Sequence, residues 1–244
     1  MATSVSKWSP WERFGPQRRQ SVVMRRSIVV LAALLGFIAL LAAACSSTGQ
    51  TSSTTTVDSV SPRGYKPTPV RRTDAVSLPD FALDPNGVNF PFKASPGDLL
   101  VVYFGYLTCP DICPVTMADI ASGLEEAGPS IADRVEVAFV TVDIERDTGA
   151  RMTDYLKHFF PNQTVRALRA VDAFQLYGAS YAFGAQWQVD PHEPGATTYG
   201  VAHSGLTYVV DDKGQLVWEW PFGTTGPEVA ATLTQLMDTV YASS

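Results

Sequence analysis

The chain has 244 residues, of which 45% are hydrophobic and 17% are charged, and these proportions are typical of a folded globular protein rather than a disordered or fibrous one. Its three cysteines are too few for a disulfide-stabilised scaffold, so each needs its own explanation. Residues 1–44 hold six of the 18 basic residues and one of the 24 acidic residues, which leaves a net charge of −11 on the remainder. A body this acidic repels phosphate backbones and argues against nucleic acid as a partner.

The first 44 residues have the pattern of an export signal. The pair Arg25-Arg26 precedes an uncharged stretch at 27–44, and the small residues at 42–44 lead into Cys45. This resembles a bacterial lipobox, in which cleavage leaves the cysteine as a lipid-bearing N-terminus. An uncleaved membrane anchor and simple soluble export are the alternatives. We expect a lipoprotein signal peptide over 1–44, lipid attachment at Cys45, and a position on the outer face of the cytoplasmic membrane.

The beginning of this signal admits two interpretations. Residues 1–23 are polar and precede a second methionine, and translation from Met24 would give a compact lipoprotein signal. We hypothesise that Met24 is the true start, a prediction that mapping of the ribosome-protected start site would test. The twin arginines leave both the Sec and the Tat export routes open.

Residues 45–77 are rich in Ser, Thr and Pro. Such a composition buries too little apolar surface to offset the entropy lost on ordering. The sequence therefore predicts a lipid-anchored flexible tether over 45–77 and one folded domain over 78–244.

The domain alternates strand and helix patterns. A continuous apolar run at 99–106 predicts a strand buried on both faces, and residues 135–142 predict a second strand. Apolar residues at helical spacing predict a helix from about residue 112 that Gly128-Pro129 ends. The other predicted elements are hairpins at 78–90 and 205–220, a strand at 165–170, and helices at 148–160, 172–183 and 225–241. This order predicts an α/β thioredoxin-like fold with a central mixed sheet flanked by helices and an extra β-hairpin.

Cys109 and Cys113 lie where the first long strand gives way to the first long helix. The first turn of a helix presents unpaired N–H groups and the positive end of the helix dipole, both of which lower the pKa of a thiol. A separation of four residues places two side chains on one face of a helix, with sulfur atoms able to converge on one ion. The pair could bind a metal or form a disulfide.

Three segments resemble the signature of the Sco/SenC family, whose members bind copper and help to assemble cytochrome c oxidase. The first, at 103–114, reads YFGYLTCPDICP and contains both cysteines. The second, at 139–148, reads FVTVDIERDT, with Ile144 where the family usually has proline. The third is Val201-Ala202-His203-Ser204, which precedes a predicted hairpin. The likeness extends over about residues 76–240.

This resemblance implies that Cys109, Cys113 and His203 bind one copper ion, as Cu(I) or Cu(II). The donor types agree, because thiolates favour Cu(I) and an added imidazole also supports Cu(II). Zinc is the main rival for such a set, although a structural zinc site requires a fourth protein ligand. A structural disulfide and a purely redox-active pair are the other interpretations of the cysteines.

The remaining histidines and the charges of the second segment receive structural interpretations. His158, on a predicted helix, is expected to be structural, and His192, in a loop, is expected to be solvated. The charged residues of the second segment are expected to begin a helix and to form a local ion pair: Asp143, Glu145, Arg146 and Asp147.

The resemblance predicts a copper metallochaperone more than an enzyme. Such a protein would deliver copper to the dicopper site of the copper-bearing subunit of cytochrome c oxidase, would receive it from an upstream copper chaperone, and would be anchored to the membrane through Cys45. The alternative is a thiol–disulfide oxidoreductase that reduces the copper-ligating cysteines of the oxidase, with Cys109 and Cys113 as its redox-active residues. A redox enzyme should tolerate the loss of His203 better than a copper carrier does.

Overall fold

A mixed sheet of seven strands forms the centre of the structure, a computed structural model that describes residues 60–241. Its strands are β1 (Ser77–Asp80), β2 (Val88–Pro91), β3 (Leu99–Gly105), β4 (Val135–Thr141), β5 (Val165–Leu168), and, after the separate pair β6 (Trp187–Val189) and β7 (Val201–His203), β8 (Thr207–Val210) and β9 (Leu216–Trp220). The order across the sheet is β2-β1-β5-β4-β3-β8-β9. β3, β4 and β5 run parallel, and the other neighbours are antiparallel.

The described helices are α1 (Ile112–Ala127), α2 (Pro129–Ala132), α3 (Gly149–Phe159), α4 (Ala173–Phe183) and α5 (Gly226–Tyr241). The predicted long helices agree with α1, α3, α4 and α5. Two of them begin after side-chain caps, because Thr148 accepts a hydrogen bond from the N–H of Arg151 and Asp172 accepts one from the N–H of Gln175. The short helix α2 was not predicted. Pro129 does end α1, but it also suits the first turn of the next helix, where its missing N–H is not needed.

The two central strands are buried along their whole length, and this holds for all seven residues of both β3 and β4. Successive side chains of a strand point to opposite faces of the sheet. Val101 and Tyr103 therefore pack with α1, α3 and α5, whereas Val102 and Phe104 pack with α4. The apolar run at 99–106 supplies both cores, which confirms the prediction of a strand covered on both faces.

A small antiparallel sheet, β6 with β7, lies outside the central sheet and was not predicted. Its three residue pairs run from Trp187↔His203 to Val189↔Val201. Both strands have only three residues and are partly exposed, so their sequences show no extended apolar alternation. Because of this sheet, His203 is the last residue of a strand.

The folded domain makes contacts that reach back into the segment predicted to be a tether. Tyr65 forms a β-bridge with Glu219, and Arg72 forms one with Gln215. Thr73 is fully buried and donates a hydrogen bond of 2.6 Å to the carbonyl of Phe92. Short polar segments such as this give no periodic signal, because single bridges rather than continuous pairing hold them to the sheet edge.

The predicted signal peptide, Met24 and Cys45 lie outside the described residues. Within residues 60–241, none of the helices combines the length and the apolar content that crossing a bilayer requires.

Candidate metal centre

The two domain cysteines lie at the carboxyl end of β3, but only one of them is helical. Cys113 is the second residue of α1 and is fully buried, whereas Cys109 precedes the helix and is partly exposed. The expectation that both cysteines share one helix face is therefore wrong. Pro110 accounts for this, since a proline disfavours the helical conformation in the residue before it. Cys109 instead closes a turn in which its N–H donates to the carbonyl of Tyr106 at 3.2 Å.

His203 reaches the cysteines from the end of β7. Its Nε2 lies 3.5 Å from the Sγ of Cys113, and its Nδ1 lies 3.1 Å from the carbonyl oxygen of Ser204. A carbonyl oxygen only accepts hydrogen bonds, so Nδ1 carries the hydrogen and the lone pair of the neutral ring is on Nε2. The unprotonated Nε2 therefore faces the thiols, and its lone pair has the orientation that a metal ligand requires.

The Sγ atoms of Cys109 and Cys113 and a ring nitrogen of His203 all lie within 4.8 Å of one another. Ligands bound to one ion at about 2.0–2.3 Å are separated by at most about 4.6 Å, so this spacing needs little adjustment to surround a single ion. Neither cysteine forms a disulfide. The side chains that the sequence assigned to one metal site are thus brought together, and they could hold a copper ion.

Burial sets the protonation of two of these groups. It raises the pKa of the Cys113 thiol well above its ordinary value, and the hydroxyl of Tyr103 lies 3.7 Å from its sulfur. The sequence predicts a lowered pKa at the helix start, but the pKa of Cys113 is raised, because loss of solvent outweighs the lowering effect of a backbone hydrogen bond at Tyr106. Burial also lowers the pKa of His203, which keeps its ring neutral at pH 7. Both groups are uncharged, and a metal would displace the thiol proton.

Aromatic rings and a glycine shape the space around these donors. Tyr103 and Tyr106 both meet the His203 ring edge to face, with centroids 5.9 and 5.7 Å away. Gly105 lies directly beneath the sulfur, because a Cβ at this position would be 2.8 Å from the Sγ of Cys113. The last residue of β3 is therefore a glycine for reasons of close approach rather than of backbone conformation.

The second signature segment connects this turn to the loop between β6 and β7. Asp143 and Arg146 form the predicted ion pair, and the Arg146 guanidinium lies 3.7 Å over the ring of Tyr199. The hydroxyl of Tyr199 donates to Asp143 at 2.6 Å. Asp147, which is fully buried, accepts hydrogen bonds from the N–H of Leu107 at 3.0 Å and from the hydroxyl of Thr141 at 2.6 Å. These residues brace the cysteine turn and the β6–β7 loop from one side.

The remaining histidines lie outside the donor group. His192 was expected to be solvated, but its ring stacks on Tyr199 at 3.7 Å between centroids and only 12% of its side chain is exposed. Nothing in the local sequence predicts this stack, because Tyr199 lies seven residues away on the other arm of the loop. His158 is exposed on α3 and packs edge to face on Phe159, which agrees with a structural interpretation.

Comparison with known proteins adds an independent observation. The SCO1/SenC family model matches residues 71–238, which include all three signature segments. The chain belongs to the SCO1/SenC family. The family resemblance and the thioredoxin-like fold class are thereby confirmed.

Several SCO1/SenC relatives are similar along most of the domain. The SCO2-like protein of Rickettsia felis is 30% identical over 159 residues, which are 62% of this chain and 72% of that protein. The structure of apo Sco1 from Thermus thermophilus is 27% identical, covers 71% of this chain and 95% of its own, and superimposes with a TM-score of 0.59. The structure of Bradyrhizobium japonicum ScoI with copper bound is 28% identical, covers 71% and 98%, and has a TM-score of 0.54.

Proposed function

We propose that this chain binds one copper ion through Cys109, Cys113 and His203 and delivers it to, or helps to assemble, the dicopper site of cytochrome c oxidase. The observation that carries the proposal is the convergence of these three donor atoms within 4.8 Å. Membership of the SCO1/SenC family and the copper bound in ScoI support the choice of metal.

The donor set itself favours copper over zinc. Two thiolates suit Cu(I), and the imidazole extends the site to Cu(II). A structural zinc site would need a fourth protein ligand. Among residues 60–241, no further cysteine, histidine or carboxylate joins the three donors. A three-ligand site also leaves room for an incoming donor from a partner.

The unequal exposure of the two cysteines predicts the order in which the copper ligands are exchanged during transfer to a partner. Cys113 is fully buried behind the Gly105 backbone, whereas Cys109 is partly exposed in the turn before α1. A partner thiolate can approach from the side of Cys109, so Cys109 is the first ligand to be exchanged and Cys113 the last. His203 lies at the end of a three-residue strand and can leave without disturbing the central sheet.

A thiol–disulfide oxidoreductase is the second candidate. It is supported by two free cysteines whose sulfur atoms lie within 4.8 Å of each other, one of them accessible to a substrate. In that case Cys109 attacks a disulfide of the partner and forms a mixed disulfide, and Cys113 then releases the reduced partner and leaves a Cys109–Cys113 disulfide. This chemistry needs no imidazole donor, so the importance of His203 separates the two functions.

We also propose that the domain is held at the outer face of the cytoplasmic membrane by a lipid on Cys45. The support is the sequence pattern of residues 27–45. The Tyr65 and Arg72 bridges leave fewer residues for the tether than the 45–77 predicted from composition. Mass spectrometry of the mature N-terminus tests this, and an unmodified Cys45 in membrane-extracted protein would contradict it.

Anaerobic titration of the reduced full chain carrying Cys45→Ser, which removes the third thiol, with Cu(I) and Cu(II) tests the proposed copper site. Cys109→Ser and Cys113→Ser should each abolish stoichiometric Cu(I) binding, because two-thiolate coordination is lost. His203→Ala should weaken Cu(II) binding by at least about tenfold and change Cu(I) binding less. His158→Ala is the matched control, since that histidine is exposed on α3 and should bind copper as the wild type does. Full binding by the double cysteine variant would contradict the proposal.

A further inference from the structure

An open cavity lies beside the turn that carries Cys109, with a volume of about 770 Å³. Its wall includes Thr108, the residue before Cys109, and three arginines, Arg146, Arg151 and Arg169. The chain after residue 44 has only 12 basic residues against 23 acidic ones. A quarter of its basic residues thus line one cavity next to the candidate metal centre.

Backbone carbonyls hold two of these guanidinium groups in place. Arg169 donates through Nε to the carbonyl of Asp147 at 2.9 Å and through Nη2 to that of Ile144 at 2.6 Å. Arg151 donates through Nη1 to the carbonyl of Arg146 at 2.8 Å. Within the described chain, no hydrogen bond to a protein acceptor uses Nη1 of Arg169 or Nε and Nη2 of Arg151. The two side chains are oriented by the protein and still have donors to offer.

The charge balance of the wall is positive. Arg146 is already paired with Asp143, so the surplus comes from Arg151 and Arg169. Glu145 is the acidic side chain of the wall, and its carboxylate is directed to His192, with its Oε1 3.9 Å from Nε2 of that ring. Within residues 60–241, neither Arg151 nor Arg169 forms a salt bridge, with Glu145 or with any other acidic side chain.

We propose that this cavity binds a carboxylate of an acidic protein partner and docks that partner beside Cys109. A guanidinium is planar and forms paired, charge-assisted hydrogen bonds with a carboxylate. A protein carboxylate is favoured over a lipid phosphate, because the site is concave and adjoins the cysteine turn, where a partner must approach to exchange ligands. The net negative charge of the domain disfavours an acidic partner in general, so a local surplus of arginines favours its docking at this cavity. Use of the site in copper delivery rests on the proposed function, but carboxylate binding does not.

The test is the binding of fluorescein-labelled hexaglutamate to the metal-free full chain, held in an uncharged detergent and followed by fluorescence anisotropy at low ionic strength. The wild type should bind and should lose affinity as salt is added. Arg151→Gln should weaken binding roughly tenfold, because it removes a charge-assisted interaction. Arg151→Lys should fall between the two, and Glu145→Gln should strengthen binding because it removes the negative charge of the wall.

Two further variants separate carboxylate binding at this cavity from the general effect of removing an arginine and from copper binding. Arg134→Gln is the matched control, because Arg134 precedes β4 and so lies at the opposite end of that strand from Arg146. The Cys109→Ser/Cys113→Ser double variant should bind hexaglutamate as the wild type does, even where it binds no copper. The proposal is overturned if the wild type does not bind the peptide, if Arg151→Gln and Arg134→Gln have equal effects, or if inorganic phosphate displaces the peptide at much lower concentration than acetate does.

Discussion

At the scale of single residues, the candidate centre depends on close approach between backbone and sulfur. Gly105 and Cys113 come from separate elements, and the space between them has no room for a methyl group. The sequence identified Cys109, Cys113 and His203 as one group through its three signature segments. It could not show that Cys113 is buried and Cys109 exposed, because burial depends on how α1 packs against β3. It also could not show that burial raises the pKa of the Cys113 thiol.

Gly105→Ala should damage both stability and copper binding. The added Cβ would lie 2.8 Å from the Cys113 sulfur and 2.8 Å from the Tyr103 ring, so overpacking should cost about 1–3 kcal/mol of unfolding free energy. Urea denaturation measures this cost. Gly178→Ala is the matched control, since no atom lies within 4 Å of its added Cβ and alanine favours the helix. Equal stability of the two variants would refute the close-approach argument.

Copper binding should release the proton of Cys113. Burial raises the pKa of this thiol, so it is protonated in the metal-free chain at neutral pH, and the metal requires the thiolate. The apparent Cu(I) affinity should therefore rise with pH between 6 and 8, by about tenfold per unit for each proton displaced. Calorimetry in buffers of different ionisation enthalpy counts the protons. A pH-independent affinity, with no proton released, would show that the thiol is already ionised.

At the scale of elements, the β6–β7 pair is the device that brings His203 to the cysteines. Long apolar runs and helical spacing predicted β3, β4, α1 and α5, because these elements bury continuous faces. The two three-residue strands and the stack of His192 on Tyr199 depend on contacts across a long loop, which no local pattern encodes. The segment before β1 was missed for the same reason, since isolated bridges such as Tyr65↔Glu219 hold it to the sheet edge.

Tyr199→Ala should disturb the position of His203 and leave Cys109 and Cys113 able to bind copper. The substitution removes the ring beneath the Arg146 guanidinium and the 2.6 Å hydrogen bond to Asp143, both of which hold the loop that leads into β7. Cu(II) affinity should fall several-fold, because His203 is less well placed, whereas Cu(I) affinity should change little. Paired Cu(II) and Cu(I) titrations measure the difference, and Tyr199→Phe should show a smaller effect because it keeps the ring. Equal losses for both ions would mean that the loop supports the cysteines instead.

At the scale of the whole molecule, the candidate metal centre and the segments that surround it lie at one end of the central sheet. β3 and β4 are parallel, so the cysteine turn after β3 and the Asp143–Asp147 segment after β4 meet at the same edge. The β6–β7 pair adds His203 to this edge, and the arginine-lined cavity opens beside it. Open sheets with parallel strands bind ligands at the carboxyl ends of those strands. The three donor atoms and the arginine-lined cavity are therefore neighbours in a domain whose described part has more acidic than basic residues.

The most direct test is X-ray absorption at the copper edge of the Cu(I)-loaded full chain carrying Cys45→Ser, which removes the third thiol. We predict about two sulfur neighbours and one nitrogen neighbour at the copper, with the nitrogen lost in His203→Ala and the sulfur lost in the double cysteine variant. A copper environment of oxygen and nitrogen without sulfur, or one that is unchanged by the double cysteine variant, would contradict the assignment of Cys109, Cys113 and His203 as the copper site.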